Sequence, residues 1–567
     1  MTVRQNITGA EALLLSLLEE GADTIFGYPG GAIIPIYDKL YGYSDRIRHI
    51  LTRHEQGAVH AAQGFARATG RVGVCIATSG PGATNLITGI ADAMADSTPL
   101  VCVTAQVAAS MLGSDAFQEA DIISMTIPIT KWNFQITKAE EVPSAIARAF
   151  YIARSGRPGP VVIDFAKSAQ VETIADFRYT PCNGLRSYHP VPQLSRDAIA
   201  EAARLINDSE RPIMLVGQGV KIAGAEQALI RLAEKACIPM ASTLMGLSAV
   251  PSSHPLYVGK LGMHGNIAPN DMTERSDLVI AVGMRFSDRV TGDVKRYAPL
   301  AKVVHIDIDS AEIGKNVRVD AGVLADAGEA LEALLPLVEQ KKRPEWLGYA
   351  KERYDHEYDI VIKHTLSPDK GYLSMGEVVN EVADRFGGDA VIVTDVGQQQ
   401  MFASRYSRFN HSRSFITSGG LGTMGFGLPA AIGAKIGVPD KEVVLLVGDG
   451  GLQMTIQELG TIMQSDIPVK IVVLNNSFLG MVRQWQEIFY EKRYSFTELA
   501  DPDFTTVAKA YRIDARRVDT YEGLKEAVKE MKESKKAYLL EVVVKKEENV
   551  FPMIPAGGSV TETLLSV

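Results

Sequence analysis

Residues 446–451 read Leu-Val-Gly-Asp-Gly-Gly and end an apolar run that begins at Val443. A continuous Val/Leu run bounded by glycine is the pattern of a strand buried on both faces of a parallel sheet. Gly-Asp-Gly by itself is most often a turn. The segment that follows changes that reading: a helical stretch, "MTIQELGTIMQSD", then a proline and the strand "VKIVVLNN", which ends in Asn475 and Asn476. Adjacent parallel strands place their carboxyl-terminal loops side by side, where open α/β sheets bind ligands. A carboxylate from Asp449 and a carboxamide from the Asn pair therefore converge. Magnesium takes a few protein oxygens and completes its octahedron with phosphate and water. Glycines at 448, 450 and 451 would let a diphosphate approach the backbone.

The same order of elements occurs in the first third of the chain. "GAVHAAQGFARATG" leads to strand "VGVCIAT", loop "SGPGATN", helix "LITGIADAMADS", a proline and strand "LVCVTAQ"; in the last third "GFGLPAAIGAKIG" leads to the run that ends in Asp449. Between them lies another alternating region with strands "PIMLVGQG", "LVIAVGMRF" and "KVVHIDID". The fold class is α/β, three doubly wound parallel-sheet domains. We place them at residues 1–180, 190–340 and 365–545, with a tail at 546–567. The Pro/Gly-rich segment 178–195 and the charged segment 339–359 read as linkers.

Composition fits this class. The 567 residues are 46% hydrophobic and 22% charged, with a net charge of −9 spread along the chain, so nothing suggests nucleic acid or an anionic membrane surface as a partner. Four separated cysteines read as reduced core thiols, and "ALLLSLLEE" near the start, flanked by glutamates and preceded by a Thr8/Glu11 capping box, reads as a helix instead of a signal peptide. The apolar stretch 421–438 carries five glycines and a lysine, a poor membrane span. A cytoplasmic location is expected.

Gly-Asp-Gly followed after a helix and strand by Asn-Asn resembles the signature of thiamine-diphosphate enzymes. That resemblance implies Mg²⁺ held by Asp449, Asn476 and the backbone carbonyl of Phe478, with thiamine diphosphate along Val396, Gly397, Gln398, Gln399, Gly422, Met424, Gly448, Gly450 and Gly451. It also implies a glutamate in the other homologous domain, and "TRHEQG" offers Glu55. A carboxyl group hydrogen-bonded to the cofactor's aminopyrimidine ring promotes the cofactor's own deprotonation. The plainer reading of Glu55 is a carboxylate favoured at a helix start. In the family the two domains meet across a subunit interface, which implies a homodimer or a dimer of dimers.

Further segments, "YPGGA", "GSDAFQE", "SGRPGPVVIDFAK", "LGMHG", "RFSDRVTG", "VHIDIDSAEIGKN" and "GMVRQWQ", make nearly the whole chain similar to the acetolactate synthase family of these enzymes. The implied reaction decarboxylates pyruvate and condenses the remaining two-carbon unit with a second pyruvate or with 2-oxobutyrate, in branched-chain amino acid biosynthesis. Gly31, Gln118 and Lys167 are implied to act with Glu55 on the anionic species, while Phe117, Met263, Arg289 and Trp485 contact substrate. Arg289 suits a carboxylate and Trp485 an alkyl group. The central domain is implied to hold FAD through Arg157, His264, Gly283, Arg285, Arg289, Asp307 and Asp326. From the residues alone, "GQGVKI" supplies two of the three dinucleotide-loop glycines and flavin is not specified. A small regulatory subunit is a further partner such a family allows.

The chain departs from the family pattern at Gln399, Ala108, Ser110 and Trp132, where His, Pro, Arg and His are expected. Competing readings are another flavin-containing thiamine-diphosphate enzyme, such as pyruvate oxidase or a carboligase, and a non-catalytic cofactor-binding paralogue. Intact Glu55, Asp449 and Asn476 count against the second, and Glu55 against a glyoxylate carboligase.

Overall fold

The computed structural model describes residues 3–367 and 371–566; the outermost ends of the domain assignment, residues 1 and 567, lie outside the described residues. Three six-stranded sheets are present, parallel throughout. Numbered within each sheet by chain order, the first sheet (strands from Thr24–Tyr28 to Pro160–Ala166) and the third (Val391–Thr394 to Tyr538–Val543) share one strand order, 2-1-3-4-6-5. The internal repeat is therefore topological as well as compositional. The middle sheet has the order 3-2-1-4-5-6, with its switch point between the strands Pro212–Val216 and Leu278–Val282. Ligands in such sheets sit at the carboxyl ends of the strands beside that point.

The first and third domains are joined by helix α1, Glu55–Thr69, packed on helix α2, Gly427–Gly437. Both helices are rich in Ala and Gly, and every residue from Gly57 to Ala68 is buried. The contact is backbone on backbone. A Cβ on Gly64 would lie 2.0 Å from the Ala430 carbonyl oxygen, and one on Gly433 would lie 1.8 Å from that of Ala61. Both helices contribute to one hydrophobic core that runs through the two sheets, from Phe26 and Cys75 to Leu445 and Ile471.

Two local expectations are modified. Asp449, expected in a strand-end loop, is the first residue of a short helix, Asp449–Met454, because Gly448 already ends the strand in extended geometry. The charged segment read as a linker forms helix α3, Pro344–Glu357, whose Trp346 is buried and donates to the Pro212 carbonyl at 2.9 Å. Most of its charges are exposed, while Trp346 and the buried Glu357, which accepts from Asn266 Nδ2 at 3.0 Å and the Ile267 N–H at 2.7 Å, anchor it, a pattern too sparse for helical periodicity to reveal. The four cysteines are free. Among the described residues no helix is long and apolar enough to cross a membrane.

Overpacking a backbone contact of this kind costs about 1–3 kcal/mol or more, so Gly64→Ala and Gly433→Ala should each lower the unfolding midpoint in urea. Gly348→Ala, in the exposed part of α3 with nothing within 4 Å, should instead stabilise by about 1 kcal/mol. Equal effects at all three positions would contradict the packing account.

Candidate active site

The carboxyl ends of the third sheet form a narrow cleft of about 50 Å³ lined by Gly397, Gln398, Gln399, Met424, Gly448, Asp449, Gly450, Gly451, Asn476 and Phe478. The residues predicted to hold a diphosphate and a cation are thus brought together, except Gly422, which lines the neighbouring cavity. Asp449 is 2% exposed, and its Oδ2 is buried without a hydrogen-bond donor. A buried carboxylate oxygen with no partner is costly unless a cation or proton is supplied. Burial first, and then the negative charge of Asp501, raise the Asp449 carboxyl well above the usual carboxylate range. Asn476 turns its Oδ1 to the Phe478 N–H at 3.3 Å and its Nδ2 to Gln398 Oε1 at 3.4 Å, leaving acceptor capacity on Oδ1. Among the described residues no three His, Cys, Asp or Glu side chains form a cage, so the donor set suits a hard cation that keeps water and phosphate oxygens. These observations fit Mg²⁺.

Asp395 organises the cleft from beneath, and sequence reasoning missed it. The side chain is fully buried and accepts from the N–H groups of Val396 at 2.8 Å, Gly425 at 3.1 Å and Gly427 at 2.7 Å, while burial pushes its carboxyl up to about 6. A Cβ on Gly451 would meet its Oδ1 at 2.6 Å. A strand-end acid in "VIVTDVG" was the available signal.

A larger cavity of about 870 Å³ opens beside the cleft, between the middle domain and the other two. It is lined by every residue predicted for FAD: Arg157, His264, Gly283, Arg285, Arg289, Asp307 and Asp326. Gly217 and Gly283 are glycines for a physical reason, since a Cβ on Gly217 would stand 2.0 Å from the Gly283 carbonyl oxygen, and Gly283 has φ +58°. Four members already have protein partners: Asp307 accepts from the Asp309 N–H at 2.9 Å, and Arg289 pairs with Asp288 at 3.1 Å. Asp326 caps helix Ala327–Leu334 through the N–H of Gly328, and Arg157 pairs with Asp309 at 3.2 Å and Glu312 at 2.7 Å. The volume and the mix of apolar wall with cationic groups fit a dinucleotide.

The cavity and the cleft share Val396, Gly397, Met424, Met481 and Val482, and Met263 and Trp485 also line the cavity. Met481 and Val482 lie on helix Gly480–Phe489 one turn before Trp485, so the three share one side of it. Of these, Met481 and Val482 were missed, although the spacing in "GMVRQWQ" carries the signal. The C-terminal tail lies over this region: Ile554 N–H donates to the Met263 carbonyl at 2.8 Å, and Asp293 N–H to that of Gly558 at 3.0 Å.

Glu55, Gly31, Phe117, Gln118 and Lys167 line neither space. They form a second cluster at the carboxyl ends of the first sheet. Glu55, 8% exposed, begins α1 and accepts from Asn85 Nδ2 at 3.0 Å; Lys167 Nζ donates to the Gly31 carbonyl at 3.4 Å. Gln118, with φ +61°, has its backbone against Gly80, while Phe117 is 88% exposed. Within one chain, therefore, this cluster lies apart from the cleft and the cavity.

The loop that presents Gly422 and Met424 is clamped by the first domain. Asp96 accepts from the N–H groups of Gly419 at 2.9 Å and Gly420 at 2.7 Å, and Asp92 accepts from Ser418 Oγ and, at 2.8 Å, from Thr423 Oγ1. Arg67 of α1 pairs with both carboxylates, at 3.4 and 3.1 Å, in a fully buried cluster. Hydrogen-bonded on every side, the acids sit where isolated charges would not be tolerated.

Three descriptions of one enzyme class match the chain in order: "Thiamine pyrophosphate enzyme, N-terminal TPP binding domain" over residues 7–125, the central domain over 199–334, and the C-terminal TPP binding domain over 395–542. The fold and the cleft are those of a thiamine pyrophosphate enzyme. The chain is 48% identical over 561 residues to the probable acetolactate synthase large subunit of Methanocaldococcus jannaschii, covering 98% of this chain and 94% of that protein. It is 46% identical to the acetolactate synthase large subunit of Corynebacterium glutamicum (98% and 90% covered) and 43% identical to that of Lactococcus lactis (97% and 95%). The chain belongs to the acetolactate synthase large-subunit family of thiamine-diphosphate-dependent enzymes.

Breaking a buried ion cluster by removing one partner costs about 3–5 kcal/mol. Asp96→Ala should lower stability by that order in urea denaturation; a loss below about 1 kcal/mol would contradict the clamp.

Proposed function

We propose that the protein decarboxylates pyruvate and joins the remaining two-carbon unit to a second 2-oxoacid, pyruvate or 2-oxobutyrate, giving 2-acetolactate or 2-aceto-2-hydroxybutyrate for branched-chain amino acid synthesis. The observation that carries this reading is the cleft around the unpartnered Asp449 carboxylate, opening through Met424, Met481 and Val482 into the cavity that holds Trp485 and Arg289. Thiamine diphosphate, when bound, supplies the carbon nucleophile and accepts the electron pair released with CO₂. Asp449, Asn476 and the Phe478 carbonyl would hold its diphosphate through Mg²⁺, with Gly448, Gly450 and Gly451 leaving room for the phosphates. Met424, pinned by the clamp on its loop, would support the cofactor from below.

Glu55 would hold a proton at the aminopyrimidine ring, and its burial beside Asn85 orients the carboxyl for that task. Lys167, Gln118 and the Gly31 backbone would stabilise negative charge on the reacting oxoacids. Phe117 would contribute apolar wall once covered. Arg289, exposed and paired with neighbouring Asp288 at 3.1 Å, is available to a substrate carboxylate. The alkyl group of the acceptor would lie against Trp485, where one extra methylene is worth about 1 kcal/mol of selectivity.

Because Glu55 and its neighbours line neither the cleft nor the cavity of their own chain, the reading requires two chains, each giving its first-domain half-site to the other's cleft. FAD in the large cavity, held by Arg157, His264, Gly283, Arg285, Asp307 and Asp326, would be structural, since the condensation involves no net redox change. A lid role for the tail, a cytoplasmic location and a separate regulatory subunit complete the proposal.

Incubation with pyruvate, thiamine diphosphate, Mg²⁺ and FAD should yield acetolactate; acetaldehyde or acetyl phosphate would overturn the assignment. Glu55→Gln should reduce kcat by about 10²–10⁴-fold while the cofactor dissociation constant changes far less. An unchanged kcat would remove Glu55 from the chemistry.

A further inference from the structure

Behind Asp449, outside the lining of the cleft, lies a second carboxylate. Asp501 lies in the loop before helix Phe504–Ala510 and faces Asp449 within hydrogen-bonding range. Gln453 Nε2 donates to its Oδ1 at 3.0 Å, and Ser477 is a second hydrogen-bond partner, so the side chain is tethered toward Asp449. Its other oxygen, Oδ2, is buried and receives no donor, as is true of Asp449 Oδ2. Two carboxylates thus approach each other with an unsatisfied buried oxygen on each. Asp449, 2% exposed, lines the cleft directly.

The surroundings do not neutralise the pair. Behind it Glu541 is also buried, its Oε1 bonded to Asn475 Nδ2 at 2.9 Å and its Oε2 without a partner. Arg517 brings one guanidinium to this group, 3.8 Å from Glu541 Oε1. Three carboxylates against one guanidinium leave excess negative charge beneath the place where a diphosphate would lie. An anion entering such a site is repelled unless a divalent cation enters with it. At an effective dielectric of about 20, one added negative charge several ångströms away changes cation affinity by roughly tenfold or more.

We propose that Asp501 is an accessory carboxylate of the cation site, a positioning residue that acts through Asp449 and makes the cleft select the cation–diphosphate pair over free diphosphate. This inference rests on the reading of the cleft as a thiamine-diphosphate and Mg²⁺ site. In that reading Asp449 is the direct ligand. Asp501 sets how strongly the site demands the metal, and Gln453 and Ser477 hold it in place.

The test measures binding instead of turnover. Mg²⁺ is titrated calorimetrically into the full-length protein with thiamine diphosphate present, and thiamine diphosphate is titrated in EDTA and in excess Mg²⁺. Wild type should bind the cofactor at least 100-fold more tightly with Mg²⁺. Asp501→Asn should weaken Mg²⁺ binding about tenfold and tighten metal-free cofactor binding, narrowing that ratio, while the thermal midpoint holds or rises. Asp501→Glu, which keeps the charge, should stay within about threefold of wild type and serves where the amide variant folds poorly. An Asp501→Asn protein with an unchanged Mg²⁺ constant and ratio would overturn the role of Asp501, the two acids then sharing a proton. Failure of wild type to bind thiamine diphosphate even with Mg²⁺ would overturn the reading of the cleft itself.

Discussion

The structure depends on the backbone contact between α1 and α2. Gly64 against Ala430 and Gly433 against Ala61 leave no room for a side chain, so the two sheets are held at a separation that only glycine permits. Interiors packed to crystal-like density transmit position with little slack. The helix that begins at Glu55 therefore has a fixed place relative to the cleft of its own chain. That place is outside the cleft. About three turns further on, the same helix carries Arg67, which pairs with Asp92 and Asp96 and thereby fixes the loop of Met424. One helix thus presents the buried Glu55 carboxylate at its start and steadies the Met424 loop near its end.

This arrangement gives the repeat a function. Two domains of equal strand order, 2-1-3-4-6-5, each present ligand-binding loops at the carboxyl ends of their strands. In the third domain those loops form the cleft around Asp449, which the proposed function assigns to a cation and a diphosphate. In the first, Glu55, Gln118 and Lys167 occupy the corresponding end of the sheet. Under that proposal, similar topology with different loop chemistry would supply two complementary half-sites, to be joined by two copies of the chain.

Much of this was legible in the sequence. The buried strands read clearly because Val/Ile/Leu runs of four to seven residues bounded by glycine have few other meanings. Asp449 and Asn476 were legible together because each ends a strand and the strands are neighbours, paired from Val444 with Lys470 to Gly448 with Leu474. What escaped depends on contacts far apart in the chain. Asp395 matters because the N–H groups of residues 425 and 427 fold onto it, and Asp501 because a loop turns it back toward Asp449. The Arg67 cluster joins residues separated by more than 300 positions. Helix α3 escaped for another reason, since only a few scattered residues, Trp346, Ala350 and Glu357, are buried in an otherwise exposed, charged helix.

The central claim is that a working site takes its halves from two chains. Chains carrying Glu55→Gln and chains carrying Asp449→Ala, bearing different affinity tags, can be co-expressed and the mixed dimer purified through both. Each parent alone should be nearly inactive. The account predicts that the mixed dimer regains about half the acetolactate-forming activity of the wild-type dimer, because one of its two sites then has both an intact Glu55 and an intact Asp449. A mixed dimer as inactive as its parents would contradict it.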